Sequence, residues 1–322
     1  MEKSIELLKT VEDDFINKRL DYWLKKKYPN TSFSLICKLI RKGVIRVNGS
    51  RTSQSIILNK NDTIKIPRVL INNKKENLEQ RFSNKFKDKV LKWIIFHNKD
   101  FIAINKPNNL SVQGGSKIKI SLDNLFQIFK LDYQEKPKLV HRIDKDTSGL
   151  LIISRTLEYA QYLTKLFKTR KIQKTYIAIT SGEVQIDKAI IDISIKQKDK
   201  ISKAKTYYKV LAKSKYCSLL IVRPDTGRKH QIRKHFMYLN NPLLGDKKYN
   251  NNKISNDLKS DFLNLHSYSL SFIDKNGVNF NLTAKPPSEM LQNMKKLDFN
   301  FQSIKSDYFL NSKKWFTINE NF

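Results

Sequence analysis

The chain has 322 residues, 62 of them Lys or Arg against 30 Asp or Glu, for a formal charge of +32. A protein this basic repels itself unless it works beside a polyanion, so nucleic acid or an anionic membrane surface are the partner classes to weigh, although a coding bias towards Lys, Asn and Ile raises the same number. Two distant cysteines (Cys37, Cys217) exclude a disulfide framework, and five histidines without metal-ligand spacing give no metal site. No apolar run is long enough to span a bilayer, and the start MEKSIELLKTVEDD is acidic where a signal peptide is basic, so a soluble cytoplasmic protein is expected.

In chain order, Phe15, Ile16, Leu20, Trp23 and Leu24 recur at helical spacing until Pro29. Ser32 or Ser34 caps a second helix carrying Leu35, Ile36, Leu39 and Ile40, and Gly43 stands just past its end. A strand over 44–47 runs into the Asn48-Gly49 turn, and another covers 63–66. Residues 13–69 thus read as a small α/β domain whose polar faces carry Lys18, Arg19, Lys25, Lys26, Lys38, Arg41, Lys42 and Arg46. Those bases suit a phosphate backbone and equally suit solvated helix faces. The polar stretch 72–88 reads as solvated, placing a linker at 70–89.

A larger domain is expected over 90–299. Strands 93–96 and 101–104 flank His97-Asn98-Lys99-Asp100 as a hairpin. Further strands are predicted over 150–153, 175–179, 206–211, 217–222, 265–273 and 278–282, with helices over 123–129, 156–167, 231–238 and 288–297. Hairpins outnumber strand–helix alternations, which predicts an α+β fold with a mostly antiparallel, mixed sheet and flanking helices. The tail 300–322 has aromatics without a period.

Two segments carry chemistry. PKLVHRIDKDTSGLLIIS (137–154) sets His141, Arg142, Asp144 and Asp146 in a polar turn between apolar runs. An aspartate held ionised beside an arginine is what covalent catalysis at a sugar or base carbon requires; the same residue types also make an ordinary charged turn. In DTGRKHQIRKH (225–235), an inward-pointing guanidinium on the helix needs an anionic partner, for which Asp144 is an obvious one; the same residues also suit a basic helix start that only holds phosphate. Asp146-Thr-Ser-Gly and Asp225-Thr-Gly also match the short motif of aspartic proteases, which would need the two carboxylates in contact.

HRIDKDTSG (141–149) resembles the nucleophile motif of the RluA family of pseudouridine synthases, and TGRKHQIRKH (226–235) its arginine motif. KTYIAI (174–179) resembles its tyrosine strand and INKPNNLSVQGG (104–115) its first motif, except that Asn109 stands where the family usually has glycine. KLIRKGVIRVNG (38–49) resembles the RNA-binding domain named after ribosomal protein S4. The resemblance implies isomerisation of uridines in large-subunit (23S) ribosomal RNA by a monomer without cofactor or metal. It implies Asp144 as nucleophile and Arg233 as its ion-pair partner, lowering the carboxylate pKa. Tyr176 would stack on the uracil, and Arg142 would fill the space the flipped base leaves. The alternatives are the same chemistry on other ribosomal RNA or transfer RNA uridines, or a non-catalytic RNA-binding ribosome-assembly protein.

Overall fold

The structure, a computed structural model, describes residues 7–29, 31–71, 82–114, 120–131, 133, 135–197, 200–250, 260–300, 309 and 312–319. The chain divides into two compact units, residues 1–87 with 113–121 and residues 88–112 with 122–322.

In the first unit, strand β1 (Leu7–Thr10) precedes helices α1 (Leu20–Lys27) and α2 (Phe33–Arg41), strands β2 (Arg46–Val47) and β3 (Thr63–Ile66) and a helical turn α3 (Arg68–Ile71). The sheet order is β1-β3-β2, all antiparallel. Leu20, Trp23 and Leu24 of α1 and Ile36 and Ile40 of α2 pack on Ile64 and Ile66 of the sheet, all buried. Ser32 caps α2 by accepting the Leu35 N–H at 3.2 Å. The strand expected over 44–47 shortens to two residues, because the N–H groups of Val44 and Ile45 bond the Leu39 carbonyl at the helix end instead of the sheet. Asn48 and Gly49 both take positive φ, the geometry of the tight hairpin.

Of the expected linker, residues 72–81 lie outside the described residues, and helix α4 (Asn84–Leu91) replaces solvated chain beyond them. Ser83 accepts the Phe86 N–H at 3.3 Å, and Phe82 stacks on Phe86 one turn on, 5.0 Å between ring centres. The polar composition of the stretch concealed this cap.

The second unit continues with β4 (Ile94–His97), β5 (Phe101–Lys106), α5 (Leu122–Leu125), β6 (Lys138–Leu139), β7 (Ser148–Ser154), α6 (Leu157–Lys168), β8 (Gln173–Ser181) and β9 (Lys188–Asp192). There follow β10 (Ile195–Gln197), β11 (Lys200–Ser202), β12 (Lys205–Ser214), β13 (Cys217–Pro224), α7 (Gln231–Tyr238), β14 (Leu265–Ile273), β15 (Asn279–Thr283), α8 (Ser288–Lys296) and β16 (Thr317–Ile318). Eleven strands form one sheet in the order β16-β9-β12-β13-β8-β14-β7-β5-β4, with β15 on β14 and β6 on β7. Among the described strands only β14/β7 and β16/β9 are parallel, so the α+β, mixed-sheet expectation holds. The helix expected over 123–129 is a single turn followed by a 3-10 turn at Ile128–Lys130.

Alternation along β8 sets the site. Ala178 packs with Ile232 and Phe236 of α7, while Ile177 and Ile179 pack with Met290 and Met294 of α8. Tyr176, in phase with Ala178, therefore faces the α7 side. On that face Phe101, Ala103, Leu150 and Ile152 bury Tyr159, Leu163 and Leu166 of α6. In the tail, Ile318 is 1% exposed and belongs to the same core as Ala178. Among the described residues no helix is long and apolar enough to cross a membrane.

Candidate active site

The turn 140–147 carries Asp144 between β6 and β7, closed by the Thr147 N–H on the Asp144 carbonyl (3.2 Å). Three features fix its path. His141 accepts the Ile152 N–H at Nε2 (2.8 Å) and stacks on Phe167 at 4.2 Å. Burial, reinforced by the charge of Lys174, pushes its pKa down to about 3, which leaves the neutral ring this acceptor role requires. Lys106, 0% exposed, donates from Nζ to the carbonyls of Pro107 (2.7 Å), Leu110 (2.9 Å) and Lys145 (3.1 Å). Burial pushes its pKa down to about 7, against the pull of Asp146 and Asp144. The turn bearing Leu110 survives the loss of the usual glycine because Asn109 takes the left-handed φ of 59°. Gly149 is the third feature. It has a φ of +109°, and a Cβ there would lie 2.3 Å from the Ser267 oxygen, where β14 passes alongside β7.

This turn, α6, β8, the end of β13 and the start of α7 surround a cleft of about 710 Å³. Arg142, Asp144, Tyr176 and Arg233 all line it. The Asp144 carboxylate is 21% exposed, and His230 Nε2 stands 3.8 Å from its Oδ1. Burial raises the Asp144 pKa above the ordinary value, and the opposing charges of Arg233, Arg142 and Lys229 do not cancel it. Tyr176 is half-buried; its phenol is pushed up to about 12 by burial, which the nearby Ser267 hydroxyl partly offsets. Arg142 is exposed at the mouth.

Two expectations need correction. Arg233 does not pair directly with Asp144, and the Asp144 pKa is raised rather than lowered. The guanidinium, 3% exposed, is engaged by Asp246, to which Nε and Nη2 each donate at 2.7 Å. Its remaining Nη1 stands 3.7 Å from Asp146 Oδ2, so Arg233 reaches Asp144 only as a nearby charge. Burial works against an ionised Asp246, but the Arg233 fork and the N–H groups of Lys248 (2.9 Å) and Tyr249 (3.1 Å) hold its pKa below the ordinary value. The protease-like pairing is absent as well: Asp225 is bound to Arg170 at 2.9 Å, and Asp146 faces Arg233.

A family model described as RNA pseudouridylate synthase matches residues 100–238. The ribosomal large subunit pseudouridine synthase C of Buchnera aphidicola subsp. Schizaphis graminum is 33% identical over 281 residues, 82% of this chain and 88% of that protein. The chain belongs to the RNA pseudouridylate synthase family. The protein of the same name from Rickettsia bellii is 35% identical over 298 residues, 85% of this chain and 96% of the relative. Among solved structures, human RNA pseudouridylate synthase domain containing 4 aligns with a TM-score of 0.61 at 25% identity, covering 68% of this chain and 98% of that one.

Four residues that line or support this synthase's cleft were given no role by sequence reasoning; of them His230 lines it. Asp246 is the true partner of Arg233, Lys106 holds the Asp144 turn, and His230 and Tyr249 form a pair (Nδ1 to hydroxyl, 2.9 Å) between Asp144 and the Arg233–Asp246 bridge. Arg233 also lies over the Tyr249 ring, 5.1 Å from its centre. Burial, then the cations Arg233, Lys248 and Lys229, push the His230 pKa down to about 4, so its ring is neutral. The available signal for Asp246 was a carboxylate beside glycine in the basic run GDKKY (245–249), since a buried guanidinium requires a carboxylate.

Proposed function

We propose that this enzyme isomerises uridines of 23S ribosomal RNA to pseudouridine, with Asp144 as the nucleophile, working as a monomer in the cytosol. The observation that carries the reading is the half-buried Asp144 carboxylate on the wall of a cleft that also bears Tyr176, Arg142 and Arg233. The reaction breaks the bond from ribose C1′ to uracil N1, turns the base and joins C1′ to C5; the proton leaves C5 and N1 gains one. The isomerisation involves no net oxidation or reduction, so the chemistry asks for no cofactor.

Such chemistry requires the base out of its stack. Arg142, exposed at the mouth, takes the space left in the RNA, where its planar guanidinium can stack and bond phosphate. Tyr176 carries the flipped uracil. Arg233 and Asp246 brace the wall, and the Arg233 charge contributes positive potential beside Asp144. The name shared by the Buchnera and Rickettsia relatives supports the large-subunit substrate.

Mapping pseudouridine across the 23S ribosomal RNA of cells with and without the gene tests this. Discrete uridines should lose the modification and regain it with the wild-type gene but not with Asp144→Asn; identical maps would refute the reading.

Residues 13–69 serve in this reading as an S4-like RNA-binding domain, supported by the basic faces of α1 and α2, where Lys25, Lys26 and Lys27 close the first helix. Deleting residues 1–71 should weaken binding to 23S RNA and flatten its salt dependence, by roughly 0.9 in log–log slope for each duplex phosphate no longer neutralised. Isomerisation of a short target RNA should persist. Equal affinity of both forms at every salt concentration would remove the domain's role.

A further inference from the structure

Lys174 is a cation of the cleft for which the isomerisation has no use. It stands two residues before Tyr176 on β8, so the two side chains leave the same face of the strand about 7 Å apart, and both line the cleft. The Lys174 side chain is half-buried, and its amine makes no hydrogen bond or ion pair with any described residue. The carboxylate that pulls on it, Asp225, is engaged by Arg170 at 2.9 Å. Lys168, from the last turn of α6, and Arg170 line the same end of the cleft, and Phe167, stacked on His141, provides an apolar wall. Burial lowers the Lys174 pKa and Arg170 lowers it further, while Asp225 acts in the opposite sense. An ammonium kept among cations, with the nearby carboxylate already committed, is stabilised by an incoming anion.

We propose that Lys174, with Arg170 and Lys168 beside it, binds the RNA phosphate adjoining the target uridine and anchors the backbone while the base lies against Tyr176. This rests on the synthase reading. A flipped nucleotide carries its anion one sugar away from its base, a span that the two-residue step along β8 can accommodate. RNA supplies that anion at fixed distance from the ring, which a free carboxylate or phosphate does not. The site is thus a positioning element for the strand, separate from the atoms that react.

The test uses full-length protein, a 23S RNA transcript and target-site hairpins in which the phosphate 5′ or 3′ of the uridine is replaced, one at a time, by a methylphosphonate. Lys174→Gln should raise KM about tenfold, with the loss falling on KM more than on kcat. It should also make the slope of log Kd against log salt shallower by about 0.7–0.9, the value of one neutralised phosphate. Lys174→Arg should restore both. One methylphosphonate should impose the same penalty on wild type and add none to Lys174→Gln, naming the side of the uridine that is held. An unchanged slope, or a penalty that adds fully to the substitution at both positions, would overturn the proposal. So would a Lys174→Gln defect in kcat that arginine fails to rescue, since that marks a structural role. A wild-type protein that modifies no uridine of the transcript would instead overturn the synthase reading, and this site with it.

Discussion

Replacing Asp144 by asparagine is expected to leave a folded protein that binds ribosomal RNA and turns over more slowly by on the order of 10⁴–10⁶, the scale of nucleophile deletions elsewhere. The substitution preserves shape and removes the charge that a covalent step needs. Its effect on stability has a definite sign. The folded-state pKa of Asp144 is raised above that of the unfolded chain. Ionisation therefore costs the fold stability, a cost that is absent below the unfolded value, grows as pH rises through the folded one and is complete above it. Asparagine never bears that cost, so at neutral pH the melting temperature of Asp144→Asn should equal or exceed that of wild type, and the two should converge as pH falls. In the proposed role of nucleophile, the ionised form of Asp144 is the active one for turnover. The acid limb of kcat/KM should accordingly sit above the ordinary aspartate value of about 3.9. A limb at or below that value would mean that Asp144 is held by a direct arginine pair after all. Asp146, 41% exposed and 3.7 Å from Arg233, should tolerate asparagine with less than about tenfold loss. Equal damage from both substitutions would mean that the reactive carboxylate has been misassigned.

Much of the frame was legible because its signals are local. The strand expected over 265–273 is Leu265–Ile273, and the helices expected over 231–238 and 288–297 are Gln231–Tyr238 and Ser288–Lys296. Their apolar periods match the faces that the tertiary structure buries. Strand β9 (Lys188–Asp192) escaped notice because Ala189, Ile190 and Ile191 are buried without alternating, and a short apolar run has no diagnostic period. The candidate site divides in the same way. Asp144, Arg142, Tyr176 and Arg233 each sit in a motif with local character, and they line one cleft. Which carboxylate faces Arg233 depends on the turn after α7, where Gly245 takes a φ of +75° and a Cβ would meet the Phe262 oxygen at 1.8 Å. That approach joins residues distant in sequence, and no periodicity records it. A guanidinium near several acidic residues was therefore assigned to the one in the nucleophile-like motif.

Arg233→Lys separates the two roles that were merged in that assignment. Lysine retains the charge that opposes protonation of Asp144, yet it reaches one oxygen of Asp246 where arginine holds both at 2.7 Å. Asp246 also anchors the N–H groups of Lys248 and Tyr249, and the Tyr249 hydroxyl bonds His230, whose other nitrogen faces Asp144 at 3.8 Å. Loosening the fork therefore propagates to the wall behind Asp144. Expected are a stability loss of about 2 kcal/mol, half-way to the ~3–5 kcal/mol of a fully broken buried pair, and a melting temperature lower by roughly 4–8 °C. Turnover should fall about a hundredfold while 23S RNA binding changes by no more than a few-fold. The acid limb of kcat/KM should stay in place, because the charge is kept. Arg233→Met should move that limb to higher pH, since it removes the largest influence opposing the raised Asp144 pKa. Asp246→Asn completes the separation: it leaves Arg233 charged but without its buried counter-ion, and should cost about 3–5 kcal/mol together with most of the turnover. If Asp246→Asn retains wild-type kcat and melting temperature, the bridge is incidental and Arg233 acts on Asp144 through its charge alone.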